Sequence, residues 1–347
     1  MVRRAVDGTE SAGRWAVRAY ENGLDCFADT YSTLLTNLSV DPRVLGDYWG
    51  YDYGPPLPDF EPSFMRIRAS HYEYGHSIRR WYGISERCIS HGSSEALWDH
   101  VRLVLGNGRQ VVVQVNTFAY PRSPFYQAVH YLHRIVITGI EAGAAYVVDD
   151  LPVRSFRGWL AVAELDHAIA LAGATEHLGA AAKPFFTIDL PGPIAFSSPS
   201  ADTLRDALVG NTRRYLVGSD AVDQPVGHHA AKRFVADVRR YAETARVVDD
   251  RVLLRGVSFL SVLTRQRRQN AQFLGLAGDA LRVDLSEAAT QLRQLSDRLD
   301  GLRAAFFFGA SAKRPIKEHL SHVADEMAGM FGDEYECMRR LSSLVPG

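Results

Sequence analysis

The chain has 347 residues, of which 46% are hydrophobic and 23% charged. These are average values for a soluble globular protein, with enough apolar surface to rule out disorder as the dominant state. Its 39 Lys and Arg against 40 Asp and Glu leave a net charge of −1, which argues against nucleic acid as a partner.

No apolar run reaches the roughly 18 residues of a membrane span. No apolar stretch follows the two arginines of MVRRAVDGTESAGRW, so no secretory signal is expected. Three cysteines far apart in sequence, Cys26, Cys88 and Cys337, fit a reducing cytoplasm better than a disulfide framework.

In chain order, the first predicted element is a helix over CFADTYSTLLTNL (26–38). Phe27, Tyr31, Leu34, Leu35 and Leu38 share one face, and Asp25 stands at the N-cap. GDYWGYDYGPPLPDF (46–60) sets five aromatics among Gly, Pro and Asp and reads as an irregular loop. EALWDHVRLVL (95–105) is an amphipathic helix ended by the turn GNG. QVVVQV (110–115), RIVITGI (134–140), AYVVDD (145–150) and FFTIDL (185–190) are compact apolar runs, hence strands, with EAGA joining the second and third into a hairpin.

After PGPIAFSSPSAD (191–202) the pattern turns helical. DLSEAATQLRQLSDRLDGLRAAF (284–306) carries Leu285, Leu292, Leu295, Leu299 and Leu302 behind a capping-box pair, Asp284 and Glu287. The expected fold class is α+β, with one domain over 1–190 and a mainly helical one over 191–347.

Cys26 opens the first helix. A thiol there feels the positive end of the helix dipole, which favours thiolate, and the unpaired N–H groups beside it can hold an oxyanion. His133 begins one arm of the hairpin and Asp149 ends the other, so the carboxylate can orient the imidazole. Taken singly, a cysteine on an apolar helix is more often a small buried residue, and a strand-edge histidine is more often a structural one. The three together, in the order Cys, His, Asp, form the more specific signal, since this is the order of papain-like cysteine enzymes.

The segments ENGLDCFADTYSTLL and VVVQVNTFAYPRSPFYQAVHYLHRIVITGIEAGAAYVVDD resemble the N-terminal domain of the butirosin-type acyltransferase family. Its prototype moves an aminoacyl chain from an acyl carrier protein to an aminoglycoside amine. The family pattern of a helix-opening Cys, a loop ending in H-x-x-H, a strand with Gly and a strand ending in Asp is met by Cys26, Asn116, His130, His133, Gly139 and Asp149.

The resemblance implies a papain-like core with Cys26 as nucleophile, His133 as base and Asp149 as its orienter. Asn22, Asn116 and His130 fall to the oxyanion and the substrate. It implies no bound cofactor, a phosphopantetheine-linked acyl donor on an acyl or peptidyl carrier protein, and a small-molecule amine or hydroxyl acceptor, in secondary metabolism; self-association stays open. Phe27 stands where related enzymes have Gly after the nucleophile, and Tyr20 where they have Gln. These departures favour transfer over peptide hydrolysis. A cysteine hydrolase with the same three residues, or a catalytically silent carrier-binding protein, are the alternatives.

Other groupings carry less. His71, His76, Cys88 and His91 match no zinc spacing. His228 and His229 in DQPVGHHAAK read as a turn. Arg265, Arg267 and Arg268 read as the polar face of a helix, or as a patch for a carrier protein. Cys88 and Cys337 read as structural. No P-loop, G-x-G-x-x-G or G-x-S-x-G occurs, which excludes the nucleotide sites and the hydrolase elbow those motifs mark.

Overall fold

The computed structural model describes residues 26–53, 67–69, 74–128, 130–149, 155–174, 183–190, 198–220, 225–244, 250–311 and 316–345. The elements are α1 (Cys26–Asn37), β1 (Tyr51–Tyr53), β2 (Ile67–Ala69), α2 (Tyr74–Tyr82), β3 (Arg87–Ser90), α3 (Ser94–Gly106), β4 (Val111–Asn116), β5 (Leu132–Glu141), β6 (Ala144–Asp149), β7 (Phe156–Ala161), α4 (Val162–Ala170) and β8 (Phe186–Asp189). Five longer helices follow: α5 (Ala201–Leu216), α6 (His228–Thr244), α7 (Asp250–Leu281), α8 (Ser286–Ser311) and α9 (Ile316–Leu344). No described helix is long and apolar enough to cross a membrane.

The described residues form two compact units: those up to Pro42 with Ile78–Ser198, and Arg43–Ser77 with those from Pro199 on. The first is built on a six-stranded antiparallel sheet in the order β3-β8-β4-β5-β6-β7. Val111, Val113 and Val115 of β4, Ile135 and Ile137 of β5, and Ala145 and Val147 of β6 form one row-by-row apolar face, as the two-residue side-chain period requires. Leu97, Trp98, Val101 and Val104 of α3 and Leu165, Ala168 and Ile169 of α4 cover it. Ser93 caps α3, accepting from the Ala96 N–H. Asp166 ties the two helices together, accepting from the Ser94 hydroxyl and, at 2.5 Å, from the Trp98 indole.

The β5–β6 hairpin closes on Ala142 and Gly143, both at positive φ (47° and 78°), the signature of a tight hairpin turn whose twist matches the strands. Near the turn Gly139 faces Tyr146 and Ile140 faces Ala145. Past a β-bulge, Ile137 faces Val147 and Val136 faces Val148.

The second unit is helical, with β1 and β2 paired antiparallel, Tyr51 against Ala69 and Tyr53 against Ile67. The segment expected to be an irregular aromatic loop therefore contains a short strand. Tyr51 and Tyr53 alternate with Asp52 and are buried, as is Trp49, so these three aromatics are core, while Tyr48 is half-buried; the rest of that segment, 54–60, lies outside the described residues. Gly46 is required by packing, since a Cβ there would sit 2.1 Å from the Gln269 carbonyl oxygen.

Two further expectations are corrected in this unit. His228 and His229 open α6 rather than forming a turn, with their rings 3.9 Å apart. Arg267 is not on a polar face. It is fully buried and ion-paired with a fully buried Glu334, which also accepts from the Tyr51 and Tyr215 hydroxyls at 2.5 and 2.9 Å. Its neighbour Arg268 is exposed and paired with Asp297. Of the expected capping-box pair, Asp284 accepts the Ser286 N–H at 2.9 Å at the start of α8, and bonds from the Ser286 hydroxyl and then its N–H hold the Asp284 carboxyl below the usual range, while Glu287 accepts from Gln291 and pairs with Arg340.

Candidate active site

His133 and Asp149 extend the apolar rows of β5 and β6 to the same end of the sheet. His133 lies two residues before Ile135, and Asp149 two after Val147. With Val136 opposite Val148, Asp149 falls opposite Ile135 and diagonal to His133, a separation long side chains can span. Asp149 Oδ1 lies 2.8 Å from His133 Nε2, and both side chains are about 2% exposed or less.

A carboxylate can only accept here, so Nε2 carries the shared proton, which in the neutral ring puts the lone pair on Nδ1. The expectation that a hairpin would bring these two residues together is met. The bulge, which the sequence does not signal, turns them to a common face, because without it Asp149 would fall opposite Val136.

Helix α1 begins at Cys26. The Cys26 side chain, Asp25 and Asn22 lie outside the described residues. The helix buries Ala28, Tyr31, Leu34 and Leu35 and lies against β5: the Arg134 guanidinium, next after His133, sits 3.9 Å from the centre of the Phe27 ring, next after Cys26, a cation–π contact. The Asn37 amide at the other end of α1 donates to Gln110, just ahead of β4, at 3.3 Å.

The loop from β4 to β5 supplies the remaining parts. Asn116 is fully buried and spends both ends of its amide on backbone, donating to the Leu171 carbonyl and accepting from the Phe118 N–H, each at 3.0 Å. Its carbonyl accepts from the Tyr120 N–H at 3.1 Å. The tight turn so formed lays the buried Tyr120 ring 5.9 Å from that of His133. His130 is exposed and stacks flat on Phe118, with ring centres 4.2 Å apart. Phe125, Tyr126 and Tyr131 leave aromatic surface exposed on the same loop. Sequence reading did not single out Tyr120; its only signal is an aromatic residue ahead of a proline in NTFAYP.

The two described cysteines are poor nucleophiles at neutral pH. Cys88 is on the edge strand β3, where partial burial and then the Glu86 carboxylate push its thiol up to about 11. Cys337 is buried on α9, where burial and then Glu334 push its thiol up to about 12.

No group of three or more His, Cys, Asp or Glu suited to a metal occurs among the described residues. No curated protein matches the chain. The model of the family Butirosin biosynthesis protein H, N-terminal, matches residues 26–150, a stretch that opens on Cys26 and closes one residue after Asp149.

Proposed function

We propose that the protein is a cysteine acyltransferase with a papain-like arrangement of Cys26, His133 and Asp149, working in secondary metabolism. The observation that supports this best is the buried, hydrogen-bonded His133–Asp149 pair at the end of the sheet, within the stretch 26–150 that the family model matches. The acyl donor is a phosphopantetheine thioester on an acyl or peptidyl carrier protein. The acceptor is the amine or hydroxyl of a small molecule, or of the acyl chain itself, which then closes a ring.

In this reading His133 Nδ1 takes the Cys26 proton, and the thiolate attacks the thioester carbonyl. The carbonyl–sulfur bond to pantetheine breaks, and pantetheine leaves as the thiol with the proton from His133. The acceptor then attacks the acyl-enzyme, gives its proton to Nδ1 and displaces Cys26. Asp149 holds the ring and stabilises the imidazolium in both halves. N–H groups at the start of α1, with Asn22, hold the oxyanion. Asn116 shapes the loop, and His130 is the side chain it offers to the substrate. No cofactor or metal enters the reaction.

Intact-mass spectrometry after incubation with acyl-pantetheine and acyl-carrier thioesters, on wild type and Cys26→Ala, tests this. The expected result is a mass gain in wild type alone, discharged by an added amine faster than by water. Discharge equally fast by water makes the protein a thioesterase. No adduct with any donor, with Cys26 alkylating no faster than Cys88 and Cys337, makes it a silent binding protein and overturns the proposal.

A further inference from the structure

Two buried polar atoms beside His133 lack a hydrogen bond of good geometry among the described residues: the Tyr120 hydroxyl and Asp149 Oδ2, the oxygen that His133 does not use. Leaving a buried polar atom unpaired forfeits its bond to water with nothing in return, so such atoms are rare. These two are complementary, one a donor and the other an acceptor. They are also electrostatic neighbours: after burial, Asp149 contributes most to pushing the Tyr120 phenol up, with Arg122 as the opposing charge. A phenol kept protonated beside a carboxylate acts as a donor.

We propose that Tyr120 is a positioning residue, its hydroxyl donating to Asp149 Oδ2 so that the carboxylate is gripped at both oxygens and Oδ1 stays on His133 Nε2. The inference rests on reading His133 and Asp149 as a base and its orienter. It assigns to the β4–β5 loop, through the turn fixed by Asn116, control over the strength of that base. A donor on Oδ2 draws charge from the carboxylate and loosens its hold on the imidazolium.

The test is the titration of the His133 ring by NMR in wild type and Tyr120→Phe, with the signal assigned by its loss in His133→Gln. Removing the hydroxyl concentrates the Asp149 charge, and the His133 midpoint is expected to rise by about one pH unit, a tenfold gain in proton affinity. No movement, or a fall, in a folded Tyr120→Phe protein overturns the proposal. If that variant does not fold, 3-fluorotyrosine placed at 120 keeps the shape and makes a stronger donor; the midpoint should then fall, and an unchanged midpoint overturns the proposal. The readout does not involve Cys26. A shifted His133 in a protein that takes no acyl group leaves this proposal standing and removes the acyltransferase reading; intact acyl transfer with an unmoved His133 does the reverse.

Discussion

Among the described residues each unit buries a pair of ionisable groups, Arg267 with Glu334 and His133 with Asp149, and the two pairs are finished differently. In the helical unit Arg267 donates to Gln266 and Asn270 at 3.1 Å, pairs with Glu334 and lies 4.9 Å from the centre of the Tyr51 ring, while Tyr51 and Tyr215 both donate to Glu334. Asn270 in turn donates to the Gly46 and Tyr48 carbonyls. In the sheet unit a single 2.8 Å contact joins His133 and Asp149. A charge gripped by several buried partners at once fixes architecture. An imidazole held to its carboxylate by one contact, at the end of a sheet, has the arrangement that proton transfer needs.

The largest expected effect comes from breaking the finished pair. Glu334→Gln leaves Arg267 buried without its counter-charge and is expected to cost about 3–5 kcal/mol in urea unfolding. Replacing both partners with apolar residues, Arg267→Met with Glu334→Leu, should recover most of that loss. A cost below about 1 kcal/mol for Glu334→Gln would mean that the network does not hold the unit together.

The same isosteric change at the other pair should do the opposite. Asp149→Asn keeps the shape and a hydrogen bond, so stability should fall by less than about 1.5 kcal/mol. The rate of Cys26 acylation should drop by roughly 10²-fold or more, as the ring loses its tautomer and its counter-charge. If Asp149→Asn unfolds the protein as Glu334→Gln does, the distinction between the two pairs fails.

A smaller effect follows from pH. In the folded helical unit burial pushes Cys337 up to about 12 and Tyr51 and Tyr215 well above the usual phenol range. Each group is neutral when protonated, so a raised folded value means the folded state binds protons more tightly. Its contribution is therefore complete below the unfolded values, about 8.5 for Cys and about 10 for Tyr, and is lost as pH rises towards the folded ones. Urea midpoints should fall steadily from about pH 8.5 upward, and Cys337→Ala should remove the earliest part of that fall.

What could be read from the sequence follows from how local each signal is. The run VVVQV, the hairpin around EAGA and the helix opening at Cys26 are written in consecutive residues, and the elements lie where those residues put them. β3 and β7 were not legible because they are edge strands. RCIS and FRGWLA expose much of their length and lack the apolar run that marks a strand buried on both faces. β1 was hidden by the Gly, Pro and Asp around it. Arg267 was read as solvated because its partner Glu334 is 67 positions away, beyond any helical spacing. Of the site, the His133–Asp149 pair was legible through hairpin reach. Tyr120 was not, since its place depends on a turn closed by a side chain, Asn116, rather than on a period.

The β-bulge gives the hairpin a rule of parity. Across arms closed by the two residues Ala142 and Gly143, an odd-numbered residue on β5 and an odd-numbered one on β6 would face away from each other. The extra residue between the registers of Ile137 and Gly139 reverses that, and only then do His133 and Asp149 agree. Between these two positions the hairpin can therefore gain or lose two residues and keep the pair together. A change of one residue separates them unless the bulge is lost or a second is made. Even and odd length differences in this short stretch thus distinguish chains that keep the paired base from chains that keep only the sheet.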